Sequence, residues 1–136
     1  MTGEHALENA QLGMVKARAA LTAAKTLAAV GLWDDAVSRA YYAAFHAAQA
    51  LLVSAGIEAK SHAGVHSLLW EHFVKPGTIG KPVAKDLAAL QKYREEADYD
   101  SAAHFDEETG AEEVERAERV LDHLAAVLKA RGVGTT

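Results

Sequence analysis

The residue types best suited to chemistry gather in three short stretches. The first is Ser38-Arg39-Ala40-Tyr41-Tyr42-Ala43-Ala44-Phe45-His46-Ala47-Ala48-Gln49-Ala50-Leu51-Leu52. Its apolar periodicity is that of a buried helix, yet it carries an arginine, two tyrosines and a histidine on or beside the apolar face. Arg39, Tyr42 and His46 stand at i, i+3 and i+7. On a helix they share one stripe, spread over about 10 Å at ~1.5 Å per residue. Tyr41 and Phe45 lie beside them on the core side. Such groups are rarely buried without partners. Two roles are open. Arg39 pairs with an acid from another helix and His46 is a hydrogen-bonded core histidine, or the stripe is a cationic, aromatic-lined groove for phosphate and base.

The second stretch is Lys60-Ser61-His62, just before and inside the first turn of a helix. Either Ser61 simply caps that helix, or its free N–H groups, Lys60 and His62 favour an anion there. His62 and His66 are i, i+4, a spacing that can chelate a metal. Ala63, however, stands where zinc-protease helices carry glutamate, and a third ligand would have to be His72, Glu71 or a distant group. No metal site is expected. The third stretch is Tyr93-Arg94-Glu95-Glu96-Ala97-Asp98-Tyr99-Asp100. Arg94 and Asp98, at i, i+4, can pair along a helix. Arg94 could hold a scissile phosphate while Tyr99 orients it. No Ser/His/Asp set and no Gly-rich phosphate loop is present, so a serine nucleophile and an ATP-binding fold have no support, and no motif calls for a cofactor.

The elements that must position these groups are helical. Alanine is abundant in the 136 residues, and both prolines, Pro76 and Pro82, sit in one short region. Alanine is the strongest helix former, so one all-α domain over residues 1–136 is expected. The apolar set of the first helix, from about Glu4 to Val30, is Leu7, Leu12, Val15, Ala19, Leu27 and Val30, with Gly31 as its stop. Asp34 is the expected cap of a second helix ending near Gly56, whose Tyr41, Phe45, Ala48 and Leu52 make one face. A third helix spans about His62 to Phe73, followed by a Pro- and Gly-containing loop to Lys81. Pro82 opens a fourth through Tyr93, with Tyr99 as its far limit. Residues 100–106 read as a connection. Thr109 and Glu112 have capping-box spacing for a last helix to Arg131, stopped by Gly132, beyond which the tail is expected to fray.

Charge and composition narrow the partners. There are no cysteines, which excludes disulfides and suits a reducing cytoplasm. The N-terminal residues lack the pattern of a signal peptide, and no apolar run approaches the roughly 20 residues of a membrane span. The net charge is −5, but its sign is uneven. From Lys60 to Arg94 six cations face Glu71 and Asp86, a net of +4, with three histidines besides. From Glu95 to Asp122 twelve acids face Arg116 and Arg119. The asymmetry keeps an anionic partner open; two solvated faces of opposite sign are the alternative.

Read in order, the Ser38–Ala48 motif, Lys60-Ser61-His62-Ala63-Gly64-Val65 and Arg94-Glu95-Glu96-Ala97-Asp98-Tyr99 resemble the HEPN domain family, and most of all its small stand-alone prokaryotic members. The likeness runs from about residue 8 to 131. It implies a four- to five-helix up-and-down antiparallel bundle and a homodimer. It also implies a toxin-like partner to a minimal nucleotidyltransferase antitoxin. Nucleotide or RNA would bind in a basic groove, and active members are metal-independent endoribonucleases. Their signature is an arginine followed, after four to six residues, by a histidine. By position, Arg94 corresponds to that arginine, while Asp98 and Tyr99 occupy the stretch where the histidine belongs. The next histidine is His104. The imidazole would then come from His62 or His46, leaving Lys60, Ser61, Arg39, Tyr42 and Asp98 to bind nucleotide or RNA. Arg39 and His46 also have the spacing, but on the second helix. A non-catalytic nucleotide- or partner-binding helical module is the other reading of the same residues.

Overall fold

The computed structural model describes residues 3–99 and 105–134. Their elements are α1 (Gly3–Ala29), α2 (Trp33–Ser54), α3 (His62–Leu69) with a π-helical turn at Trp70–Val74, α4 (Lys81–Tyr99) and α5 (Glu107–Ala130). Four long helices run alternately up and down. Gly13 faces Ala50 across the α1–α2 hairpin. Ser38 of α2 meets Asp98 of α4. Asp86 of α4 meets Arg116 of α5. Short α3 and the π turn fill the crossing between α2 and α4. This is the all-α bundle expected of the sequence.

Helix α2 is the axis, with α1, α3, α4 and α5 all packed on it. Twelve of its 22 residues are buried, seven of them alanines, so neighbouring backbones come close. A Cβ added at Gly13 would lie 3.0 Å from the Ala50 methyl. The buried side of α1 follows the same logic: Ala6, Ala10, Met14, Ala17, Leu21 and Ala24 face the core. The stripe expected from the larger residues is therefore corrected. Leu12, Val15 and Val30 are 66%, 54% and 69% exposed, and only Leu27 of that set packs against the core.

The helix ends differ from expectation in instructive ways. Gly31 does close α1 in the left-handed conformation, φ 80°, with Leu32 N–H donating to the Leu27 carbonyl. Asp34 does not cap α2. The residue before that helix is Leu32, without a side-chain cap, and the Asp34 carboxylate instead accepts from the Phe105 N–H at 2.8 Å. It thereby pins the start of α2 to the approach of α5. The third helix is α-helical only to Leu69. Beyond that, Lys75 N–H reaches back five residues to the Trp70 carbonyl. Asp106, not Thr109, caps α5, its carboxylate accepting from the Thr109 N–H at 2.8 Å. The C-terminal tail is not frayed at Val133, which is 3% exposed and donates its N–H to the Leu128 carbonyl. Residues 100–104 of the expected connection, His104 among them, lie outside the described residues, as do Thr135 and Thr136.

Ion pairs hold α5 to both α4 and α1. Arg116 reaches Asp86 at 3.2 Å and the buried Glu113 at 3.2 Å, and Lys25 of α1 pairs with Glu118 of α5. Burial pushes the Glu113 carboxyl up, and Arg116 draws it partly back. At the start of α2, Trp33 packs closely against Gly110, where an added Cβ would lie 2.5 Å from the nearest ring atom. Gly110→Ala gains about 1 kcal/mol of helix propensity but overpacks a rigid indole, a cost of about 1–3 kcal/mol. The melting temperature of G110A, followed by circular dichroism, should fall by several degrees; an unchanged or higher midpoint contradicts this packing.

Candidate functional site

The site begins with a cation taken out of water. Arg94, on the last turns of α4, has a side chain only 11% exposed. Its guanidinium carbon lies 5.1 Å from the Tyr41 ring centre, 5.8 Å from that of Tyr42 and 6.0 Å from that of Tyr99. Each cation–π contact of this kind contributes about 0.5–2 kcal/mol. One turn on, Asp98 accepts from Arg94 at 3.3 Å and from the Ser38 hydroxyl at 2.8 Å. Ser38, Tyr41 and Tyr42 share a side of α2 because i, i+3 and i+4 fall on neighbouring ridges. Burial by itself would lower the Arg94 pKa. The Asp98 hydrogen bond and the surrounding tyrosine oxygens turn the net shift upward, so the cation is permanent.

Tyr41 ties this cation to α3. It is fully buried, and its hydroxyl sits 2.9 Å from His62 Nδ1. Burial pushes the phenol up to about 12, against the pull of Arg94, so the hydroxyl keeps its hydrogen. Burial, then the Arg94 charge, lowers the His62 pKa, so the ring is neutral near pH 7. In one tautomer Tyr41 donates to Nδ1 and the ring hydrogen sits on Nε2. In the other Nδ1–H donates to the tyrosine oxygen and Nε2 is free to take a proton, the form suited to general-base work. Phe45 stacks on the His62 ring at 4.1 Å, which fixes its plane. His66, one turn further along α3, stacks at 6.5 Å from Tyr41. Its Nε2 is buried and has no hydrogen-bond partner among the described residues.

The remaining expected residues are placed unequally. Tyr42 is the hub: it touches Tyr41 edge-on, His62, His46 and both arginines. Arg39 is exposed and lies 5.1 Å over the Tyr42 ring; no acid pairs with it among the described residues. His46 lies on the flank toward α1, against Phe45 and Tyr42. Burial, followed by the Lys16 charge, lowers its pKa. The Ser61 hydroxyl accepts from Gly64 N–H at 3.0 Å, so it caps α3. Lys60 beside it is exposed. The structure thus brings Arg94, Tyr99, Asp98, Tyr42 and His62 into one box, with Arg39 and His46 on its outer edge and Lys60 and Ser61 at the start of α3. No group of three or more ligating side chains able to hold a metal occurs among the described residues.

Sequence reasoning passed over Tyr41, Phe45, Ser38 and His66 as site residues. Their signal was present in the Ser38–Phe45 motif, where Ser38, Tyr41, Tyr42 and Phe45 form one helical patch. The polar partners that give it meaning, Asp98 and His62, are distant in sequence.

The HEPN domain profile matches residues 10–127. The chain belongs to the HEPN domain family. Among HEPN relatives, it is 37% identical over 109 residues to a Methanocaldococcus jannaschii protein named "Putative toxin MJ0605", covering 80% of this chain and 81% of that one. A "UPF0332 protein" of Thermotoga maritima is 32% identical over 114 residues, 84% of this chain and 86% of its own length. A second M. jannaschii protein, "Putative toxin MJ0142", is 32% identical over 93 residues, 68% of this chain and 63% of that one. No helix among the described residues of this HEPN protein is long and apolar enough to cross a membrane.

A pH dependence follows from the imidazoles. His66 has a pKa lowered by burial, then by His62, so the unfolded chain binds its proton more readily. The stability it contributes is whole above the unfolded value of about 6.5 and is lost as pH falls below it. Melting midpoints of wild type and His66→Gln, compared at pH 7.5 and pH 5.5, should show a wild-type advantage at the higher pH that shrinks at the lower. An advantage that is constant or grows on acidification contradicts the buried, neutral ring.

Proposed function

We propose that this chain is a toxin-like HEPN protein that works as a homodimer on RNA, with a minimal nucleotidyltransferase as its antitoxin. Membership of the family and relatives named as toxins support the coarser part of this reading. The single observation that carries the finer part is the Arg94 box. A permanent guanidinium, backed by three aromatic rings and a carboxylate, stands in the same cluster as a neutral imidazole. That set suits a phosphodiester flanked by bases, with Arg94 at the phosphate and Tyr42 and Tyr99 offering ring faces. Tyr99 is 77% exposed and free to stack.

The chemistry that fits without a metal is internal transfer. A base removes the 2′-hydroxyl proton and that oxygen attacks phosphorus. The 5′-oxygen then leaves with a proton from an acid, giving a 2′,3′-cyclic phosphate. In its Nε2-free tautomer His62 takes the first proton. Arg94 meets the charge that grows on the phosphoryl oxygens. Burial and the Lys16 charge favour a neutral His46, so an imidazole of the second subunit or solvent supplies the leaving-group proton.

One observation favours a second reading. Asp98 already pairs with Arg94, and a tyrosine, Tyr99, stands at the first position the family's spacing gives its histidine, an arrangement suited to holding nucleotide or RNA without cutting it. Both readings place phosphate on Arg94. The test is a labelled single-stranded RNA incubated with purified protein in EDTA. Wild type binds it. Arg94→Ala should lose binding by at least about tenfold, and Arg94→Lys nearly as much, because an ammonium cannot lie flat against the rings. Cyclic-phosphate ends on the products identify the ribonuclease; binding with intact RNA identifies the module. RNA handling unchanged in both Arg94 variants overturns the proposal.

A further inference from the structure

A cleft on another side of the molecule has no part in the RNA reading. It lies between α3 with its π turn and the first half of α4, and encloses about 470 Å³, within the range of about 300–1,000 Å³ usual for binding clefts. Leu69, Val74 and Leu87 form its floor, and Ala84 and Ala88 form one wall. Trp70 stands on one rim, 47% exposed. Lys81 and Lys85, one turn apart on α4, stand on the other. Neither lysine makes an ion pair among the described residues.

These features describe their occupant. The surface of the cleft is mostly apolar, with His66, Ser67 and the two lysines as its polar members. The small side chains at 84 and 88 let another backbone lie close along α4. The rim charge is positive, within the segment that is +4 against an overall −5. A second copy of the chain fits poorly. Its acid-rich outer surface on α5 carries few apolar anchors, and the exposed Leu12 and Val15 of α1 flank Lys16, which the rim lysines would repel. The π turn is what opens the cleft. It breaks the regular helix after Leu69 and leaves the indole of Trp70 outside while Phe73 and Val74 turn in.

We propose that the α3–α4 cleft is a docking groove for an amphipathic helix of a different protein, with apolar anchors set into the Leu69–Leu87 floor and acidic residues against Lys81 and Lys85. This is helix-in-groove recognition, with apolar anchors for affinity and rim charges for orientation. Among the described residues the groove and the Arg94 box share His66, which lines the cleft and stacks on Tyr41. Docking and RNA binding can therefore fail separately.

The test uses the full chain carrying Trp33→Phe, so that Trp70 is the sole indole, and two synthetic amphipathic helices. Both have leucines on one face; one is flanked by glutamates and the other by lysines. The glutamate peptide should bind saturably and shift Trp70 emission to the blue, and the lysine peptide should bind at least about tenfold more weakly. Lys81→Glu with Lys85→Glu should reverse that preference. Ala88→Glu, at an exposed position, should weaken the glutamate peptide while leaving the melting temperature and RNA binding unchanged. Equal binding of both peptides, no saturable binding, or a preference unmoved by the double charge reversal overturns the proposal. So does a change in oligomeric state on Ala88→Glu, read by light scattering, which would assign the groove to a second copy.

Discussion

A guanidinium with about nine-tenths of its side chain withdrawn from solvent must find substitutes for the water it has lost. Arg94 finds most of them on two helices, although its buried Nε has no hydrogen-bond partner among the described residues. Tyr41 and Tyr42 come from α2, Tyr99 and Asp98 from its own α4, and Tyr41 passes the connection on to His62 of α3. Among the described residues, aromatic faces and one carboxylate are used, and no ring of acids surrounds the positive charge. The arrangement holds three elements in register at the point where they would otherwise diverge. It leaves a charge whose field is barely screened by water. The neutral state of His62 and the retained proton of Tyr41 are consequences of the same burial.

The opposite end of the charge distribution is handled differently. The acids of α5 are mostly exposed, but Glu113 is buried and Arg116 draws it, Asp86 and Glu112 together. That network closes α4 on α5 on the side away from the box. Of the cations in the 60–94 segment, Lys81, Lys85 and Lys92 are exposed on α4, and Lys60 and Lys75 are exposed beside α3 and its π turn.

Much of this was legible in the chain. The helix count, the stops at Gly31 and Gly132, the cap at Ser61 and the Arg94–Asp98 pair all depend on neighbours within a turn or two, where local sequence decides. The misread features depend on tertiary contact. The inner face of α1 is made of alanines because α2 approaches too closely for anything larger, as Gly13 against Ala50 shows. A reading that weights large apolar residues therefore chose the outer face. Asp34 looked like a cap, but its partner is Phe105, 71 residues away. Tyr41 looked like core, and it is core; that its hydroxyl meets an imidazole of another helix has no local signature.

The π turn at Trp70–Val74 carries a consequence for how this chain can change length. Such a turn holds one residue more than the α-helix would need. Deleting that surplus would restore a regular helix at little local cost. It would also rotate everything after it by roughly 100° about the axis, unseating Ile79, whose N–H is hooked to the Phe73 carbonyl, and swinging the start of α4 away from Trp70. A single-residue gap here is thus not a neutral indel. Lineages that shed it must rebuild the Pro76–Gly80 corner in the same step, so length at this point should be inherited as a block with the loop that follows.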